Sequence, residues 1–193
     1  MTRTILKFFG LFLIAASLSS CGYNSMVNKD EMVAKAWADV ETQYQRRADL
    51  IPNLVTVVKQ ASTVEQQTLT AVIEARSKAT SITLQADDLT EENLQKFQDA
   101  QNELSGSLSR LLVAVEQYPT LQSQQGYIGL RDELAGTENR IQKARKDYNE
   151  VVTDYNSYIR RFPNNLFAGM FGFKTKPYFK ADSGTEKVPT VKF

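Results

Sequence analysis

Between Lys29 and Phe162 apolar residues return every three or four positions, and glycine and proline are scarce. Such spacing lays an apolar stripe along one face of an α-helix. A first stripe passes through Val33, Trp37, Val40, Tyr44, Ile51, Leu54, Val58, Ala61, Leu69, Val72 and Ala79. A second passes through Leu94, Phe97, Gln101, Leu104, Leu108, Leu111, Val115 and Tyr118. A third passes through Tyr127, Leu130, Leu134, Thr137, Ile141, Ala144, Tyr148, Val151, Tyr155, Ile159 and Phe162. The polar stretch TLQADDLTEEN and the breaker Tyr118-Pro119-Thr120 separate the three, and Pro163-Asn164-Asn165 ends the last. Asn28, with Glu31 three residues on, has the form of a helix start. The pattern predicts an all-α fold, an antiparallel up-and-down bundle of three to four long helices.

One stretch interrupts the first stripe. RRADLIPNLV, Arg46 to Val55, carries two arginines, an aspartate and Pro52. Proline removes a backbone donor and crowds the preceding turn. An unbroken helix from Asp30 to Ser81 would run about 75 Å, against about 40 Å and 55 Å for the other two. A kink or break near Pro52 evens those lengths and turns three segments into four. The apolar phase does not slip across Pro52, so the first two segments are expected to stay close to collinear.

The ends of the chain bear on its compartment. Residues 1–20 carry Arg3 and Lys7, a short apolar run from Phe8 to Ala16, and small residues before Cys21. Those are the parts of a secretory signal peptide. The apolar run is shorter than the roughly 20 residues that cross a bilayer. Leu18-Ser19-Ser20-Cys21 resembles a lipobox, which implies cleavage before Cys21 and acylation of its sulfur. Cys21 is the only cysteine, so no disulfide can form within one chain, and lipidation accounts for it. The expected organisation is a signal peptide over 1–20, a tether over 21–29, a bundle over 30–162, a capping segment over 163–180 and a tail over 181–193. LFAGMFGF, after Pro163, is expected to cap the open end of the bundle. Contact with the bilayer is the alternative, although that segment lacks a cationic polar face.

Charge and composition narrow the chemistry. Removing residues 1–20 takes away Arg3 and Lys7 and no acid, which turns the net charge of +1 into −1. No basic excess remains to neutralise nucleic-acid phosphates, so no nucleic-acid partner is expected. The chain has no histidine, which rules out Ser-His-Asp and Cys-His pairs and histidine metal sites. A site built on carboxylates alone stays open. No cofactor, metal or catalytic residue is predicted, and the chain is expected not to be an enzyme.

Polar residues beside the apolar stripes are the remaining candidates. Leu54, Glu65 and Arg76 stand eleven apart, close to three helical turns, and so would share one stripe. Glu138 and Asn149, and Arg145 and Asn156, are also eleven apart. An unpaired charge there would cost several kcal/mol. The expected resolution is a polar layer inside the bundle, with Arg46, Arg47 or Arg76 pairing with Glu138 or Glu65. Such a layer fixes helix register, or it lines a cavity for a small ligand, a peptide, another helix or a metal held by carboxylates. Tyr148, Tyr155 and Phe162 repeat every seven residues and read as core.

These same segments carry a family likeness. RRADLIPNLV, the run YPTLQSQQGYIGLRDELAGTENRIQKARKDYNEVVTDYN, and RFPNNLFAGMFGF with PYF resemble the LemA family over about Tyr23 to Phe179. The resemblance implies a helical bundle attached to a membrane by its N-terminus, with no established enzymatic activity. It carries over Arg47, Asp49, Pro52, Asn53, Glu65, Arg76, Glu138, Asn139, Arg140, Arg145, Tyr148, Asn149 and Asn156. Family members usually have an N-terminal membrane-spanning helix, which a lipobox replaces here. Many have a histidine before the glutamate that matches Glu65; here that residue is Val64. Members are often encoded near membrane proteases, which implies an envelope protein partner. The function expected is that of a membrane-anchored lipoprotein of the bacterial envelope, its body outside the cytoplasm, serving as scaffold or adaptor. The alternative is a module that binds a small ligand or peptide in its polar layer.

Overall fold

In a computed structural model, residues 2–60 and 65–180 are described, with side chains from Gly22 onward. The elements are α1 (Thr2–Gln60), α2 (Gln66–Ser81), α3 (Glu91–Val115), α4 (Pro119–Gln122), α5 (Gln125–Arg160) and α6 (Asn164–Phe171). A 3-10 turn, Ala86–Asp88, lies between α2 and α3. Among the described residues there is no strand. The all-α class predicted from the stripes is the class observed.

Ion pairs between helices give the directions. Lys78 of α2 meets Glu103 of α3 at 2.5 Å. Arg46 of α1 meets Glu133 of α5 at 2.8 Å, and Lys29 meets Asp154 further back along the same two helices. Sequence numbers rise on one helix as they fall on the other, so α1 and α5 are antiparallel. Thr90 caps α3, its hydroxyl accepting from the Asn93 N–H at 3.2 Å.

The stripe residues bury nearly as their spacing requires, in two clusters. One gathers Met26, Val33, Trp37, Val40, Tyr44, Phe97, Ile141, Tyr148, Val152 and Tyr155. The other gathers Ile51, Leu54, Val58, Leu69, Val72, Leu104, Leu108, Leu111, Val115 and Leu134. Phe162 departs from its stripe: it lies beyond the end of α5 and is 81% exposed. Ala61 falls outside the described residues.

The helix is not broken at Pro52. α1 passes through it and continues to Gln60, and α2 begins at Gln66. Nor does a helix start at Asn28, which lies inside α1 together with residues 21–29. The length argument fails because the surplus of α1 is covered by something other than a helix. Before Tyr44, where α2 no longer accompanies α1, its apolar face meets Leu84 and Leu89 of the α2–α3 connection and Phe179 near the C-terminus. The Trp37 indole N–H donates to the Leu84 carbonyl at 2.8 Å, fixing that connection to α1. The signal-peptide and Cys21 side chains and the tail over 181–193 lie outside what is described.

Candidate functional site

One polar layer separates the two apolar clusters, and all four long helices contribute to it. Arg47 of α1 is only 3% exposed. Its Nη1 donates to Ser105 Oγ at 2.7 Å and to Glu138 Oε2 at 3.1 Å. Its Nη2 donates to Gln101 Oε1 at 2.7 Å and to the Gln101 carbonyl at 3.3 Å. Gln101 in turn donates from Nε2 to the Ala79 carbonyl of α2 at 3.3 Å. The guanidinium also lies 5.2 Å from the Tyr44 ring centroid, a cation–π distance. Among the described residues, Arg47 Nε has no hydrogen-bond partner. The planar fork suits this work because it can bond helices on two sides at once. Gln101 and Ser105 are the members that sequence reasoning missed. The signal for Gln101 was its place as the one polar residue in the second stripe.

Arg76 does a different job. Its Nε donates to the Ala48 carbonyl at 2.8 Å. Helical geometry pairs each carbonyl with the N–H four residues on, and residue 52 is proline. The buried Ala48 carbonyl therefore has no helical donor, and Arg76 of α2 supplies one. The oddity of RRADLIPNLV resolves as two inter-helix links: Arg47 ties α1 to α3 and α5, and the gap left by Pro52 ties α1 to α2.

The other candidates do not join this layer. Arg46 is exposed and pairs with Glu133, not with Glu138 or Glu65. Asp49 is exposed and accepts from Gln45 Nε2 at 2.8 Å. Asn53 is exposed. Glu65 does not lie on the stripe with Leu54 and Arg76. It is the exposed residue before α2, and its backbone, with ψ of 129°, is not helical. Eleven residues before Arg76, it stands about 16 Å along α2 from the level of that arginine. The structure therefore does not bring Glu65 into the layer that holds Glu138.

Arg145, Asn149 and Asn156 hold the C-terminal segment. Residues 174–180 lie extended along α5, antiparallel to it. Asn149 donates from Nδ2 to the Phe179 carbonyl at 3.0 Å, and its Oδ1 accepts from the Phe179 N–H at 2.9 Å. Asn156 repeats the arrangement on Lys176, with both bonds at 2.9 Å. Each side-chain amide thus treats one residue of the segment as a neighbouring strand would. The spacing explains why seven on the helix matches three on the segment: both cover about 10 Å. Tyr148 and Tyr155 follow the same rule, donating to the carbonyls of Pro177 at 3.1 Å and Lys174 at 2.9 Å. Arg145 and Gln98 donate to the Lys180 carbonyl at 2.8 and 2.9 Å. Phe179 is the segment's anchor, stacked on Trp37 at 6.0 Å and edge-on to Tyr148 at 5.4 Å. Burial raises the Tyr148 phenol above its ordinary range, and burial with the nearby Asp30 carboxylate raises that of Tyr155.

Two clefts flank the polar layer. A cleft of about 300 Å³ is bordered by Tyr44, Arg47, Gln101, Ser105, Glu138 and Arg145. A larger one, about 880 Å³, lies beside α1 and includes Glu41, Arg46, Asp49, Asn53 and Glu133. Burial raises the Glu41 carboxyl, opposed by hydrogen bonding to the Trp37 side chain and the Leu84 backbone.

Residues 36–193, which include every member of the layer and both asparagine clamps, match the profile of the LemA family. The chain belongs to the LemA family. It is 28% identical over 175 residues to each of two magnetosome proteins, MamQ 1 and MamQ 2, of Paramagnetospirillum magneticum, covering 82% of this chain and 64% of theirs. This LemA-family chain therefore spans less than two thirds of the length of those relatives. It is also 22% identical over 158 residues to Protein LemA of Metamycoplasma hominis, covering 82% of this chain and 68% of that one. For the LemA-type sequence RRADLIPNLV, the structure supplies a mechanical meaning in Arg47, Pro52 and Arg76. Among the described residues, no helix is long and apolar enough to cross a membrane.

Proposed function

We propose that this LemA-family chain is a membrane-tethered adaptor of the bacterial envelope, working by contact and not by catalysis. With residues 1–20 removed, α1 begins at Cys21, whose acyl chains hold that end at the bilayer while the bundle stands off it outside the cytoplasm. The observation that carries the reading is the continuity of α1. From Gly22 to Gln60 one helix rises about 57 Å, and the bundle is built along it. Anything gripping the bundle is thereby held at a set height above the tether. The polar layer supports the reading, since the bonds of Arg47 go to its own neighbours and serve register. An envelope membrane protein, a membrane protease among the options, is the class of partner such a body suits.

The test is photocrosslinking in intact cells. A photoreactive residue at Asn53, in the larger cleft, and one at Val113, exposed on α3, are compared. A discrete envelope protein crosslinked from either position supports an adaptor. Recovery of the chain alone from both, under conditions that capture other lipoprotein complexes, would refute it.

The second reading, a ligand-binding module, has one observation in its favour. The larger cleft brings acidic Glu41, Asp49 and Glu133 together with Arg46 and Asn53 at a volume typical of small-molecule sites, about 300–1,000 Å³. A bound metabolite recovered by native mass spectrometry from freshly purified protein, and lost on Arg46→Ala with Asn53→Ala, would favour it over the adaptor.

A further inference from the structure

Four of the exposed large apolar residues gather at one end of the bundle. Phe162 is 81% exposed, Leu166 60%, Met170 75% and Phe171 51%. All four lie on α6 or just before it. Phe167, Ala168 and Phe173 pack on the bundle, so α6 has an inner face that is used and an outer face that is not. The expectation that LFAGMFGF caps the bundle accounts for the inner face alone.

Position gives the outer face its meaning. The Phe171 ring meets Tyr23 edge-on at 4.9 Å, and Phe173 meets it at 5.9 Å. A side chain at Gly22 would reach the Asn164 amide, its first carbon 3.4 Å from Oδ1. α6 therefore touches the two residues that follow Cys21, where the tether leaves the bundle. Charge agrees. From Tyr155 to Ala181 the sequence holds Arg160, Arg161, Lys174, Lys176 and Lys180 and no acid. Arg160, Arg161 and Lys174, which flank α6, are exposed. The cations absent from LFAGMFGF itself come from the end of α5 and the residue after Phe173. An apolar face ringed by cations is the form of an element lying in a membrane interface.

We propose that α6 is a second membrane contact, its outer face set into the headgroup and acyl boundary beside the tether. This rests on the tether reading for its orientation. The tether alone leaves the bundle free to swing, whereas two contacts fix its tilt. Gly172, with φ of 81°, ends α6 in a left-handed turn whose Phe173 N–H donates to the Ala168 carbonyl at 2.9 Å. That turn sends the chain back to the bundle and leaves the outer face of α6 at the surface.

The experiment uses the full chain purified from bacterial membranes and placed in vesicles of phosphatidylcholine with phosphatidylglycerol. Acylation occupies Cys21, so one introduced cysteine carries the fluorophore. Leu166→Cys and Met170→Cys report on α6. Ile73→Cys and Val113→Cys, exposed at 51% and 61% in the parent chain, sit far along the bundle as references. Lipids brominated on their acyl chains are the quencher. Labels at 166 and 170 should lose most of their emission while those at 73 and 113 keep theirs. Equal, weak quenching at all four positions would overturn the second contact, including the case where α6 faces a protein. Flotation with vesicles and blockage of Cys21 toward maleimide report the tether separately. Floating protein without quenching at 166 and 170 removes α6 from the membrane and leaves the tether standing. Quenching at 166 and 170 in a chain whose Cys21 reacts freely supports the α6 contact and removes the acyl tether.

Discussion

Arg76 donates its Nε hydrogen to the carbonyl of Ala48, the one carbonyl of α1 that Pro52 deprives of a helical partner. Arg76→Gln should therefore destabilise the protein by about 1–3 kcal/mol, the cost of a buried acceptor left without a donor. In a Pro52→Ala background the backbone N–H restored at that position can reach the same carbonyl. Arg76→Gln should then cost less by about 1 kcal/mol, roughly the value of one hydrogen bond. Denaturant midpoints of the four proteins check it. Equal costs of Arg76→Gln in both backgrounds would show that the arginine acts on something other than the gap.

The Arg47–Glu138 pair is lopsided, and its lopsidedness can be measured. Arg47 is 3% exposed at its side chain and Glu138 43%. Removing the carboxylate leaves a buried cation short of its countercharge, whereas removing the cation leaves a carboxylate that reaches water. Glu138→Ala should cost more than Arg47→Met, by about 1 kcal/mol or more. Glu138→Ala should cost little once Arg47→Met is present. Thermal melts of both single variants and the double variant decide the order.

Asn149 and Asn156 should govern release of residues 174–180. Each makes two bonds to the segment's backbone, and losing one clamp should ease local opening by about 1.4 kcal/mol, or tenfold. In Asn149→Ala and Asn156→Ala, tryptic cleavage after Lys174 should quicken accordingly. The emission of Trp37, the only tryptophan, should shift as Phe179 leaves it. Unchanged cleavage in the double variant would mean that Phe179 and the tyrosines hold the segment alone.

Alkaline pH supplies another check. Tyr148 and Tyr155 hold their protons more tightly folded than unfolded, where a tyrosine ionises near about 10. Their contribution is complete below that value and fades as pH rises past it, because the unfolded chain gives up the protons first. Stability should fall as pH climbs from about 9 to about 11, and less steeply in Tyr148→Phe with Tyr155→Phe. A parent and a double variant that fall in parallel would show that other groups set the slope.

The helical stripes are legible because burial follows period, and most stripe residues from Val33 to Ile159 obey it. What escapes is whatever a partner distant in sequence decides. Pro52 reads as a break because its missing N–H is a local fact, while the arginine that answers it stands 24 positions on. Glu65 falls on a stripe only if one helix runs on through it, and its own backbone is not helical. The spacing of Asn149 and Asn156 sets them beside the seam, where they are. Their partner is an extended segment with no periodicity, so the seven-to-three match cannot be read until both sides are in view. Phe162 continues a seven-residue repeat past the end of its helix and comes out exposed.

The tether itself has the most direct test. Cells expressing the parent chain or Cys21→Ser are grown with a labelled fatty acid, then fractionated. The parent should carry the label, lack residues 1–20 and sediment with membranes. Cys21→Ser should carry none and keep its leader. An unlabelled parent, or a Cys21→Ser chain that is cut at the same place and labelled like the parent, would contradict a protein held by its lone thiol.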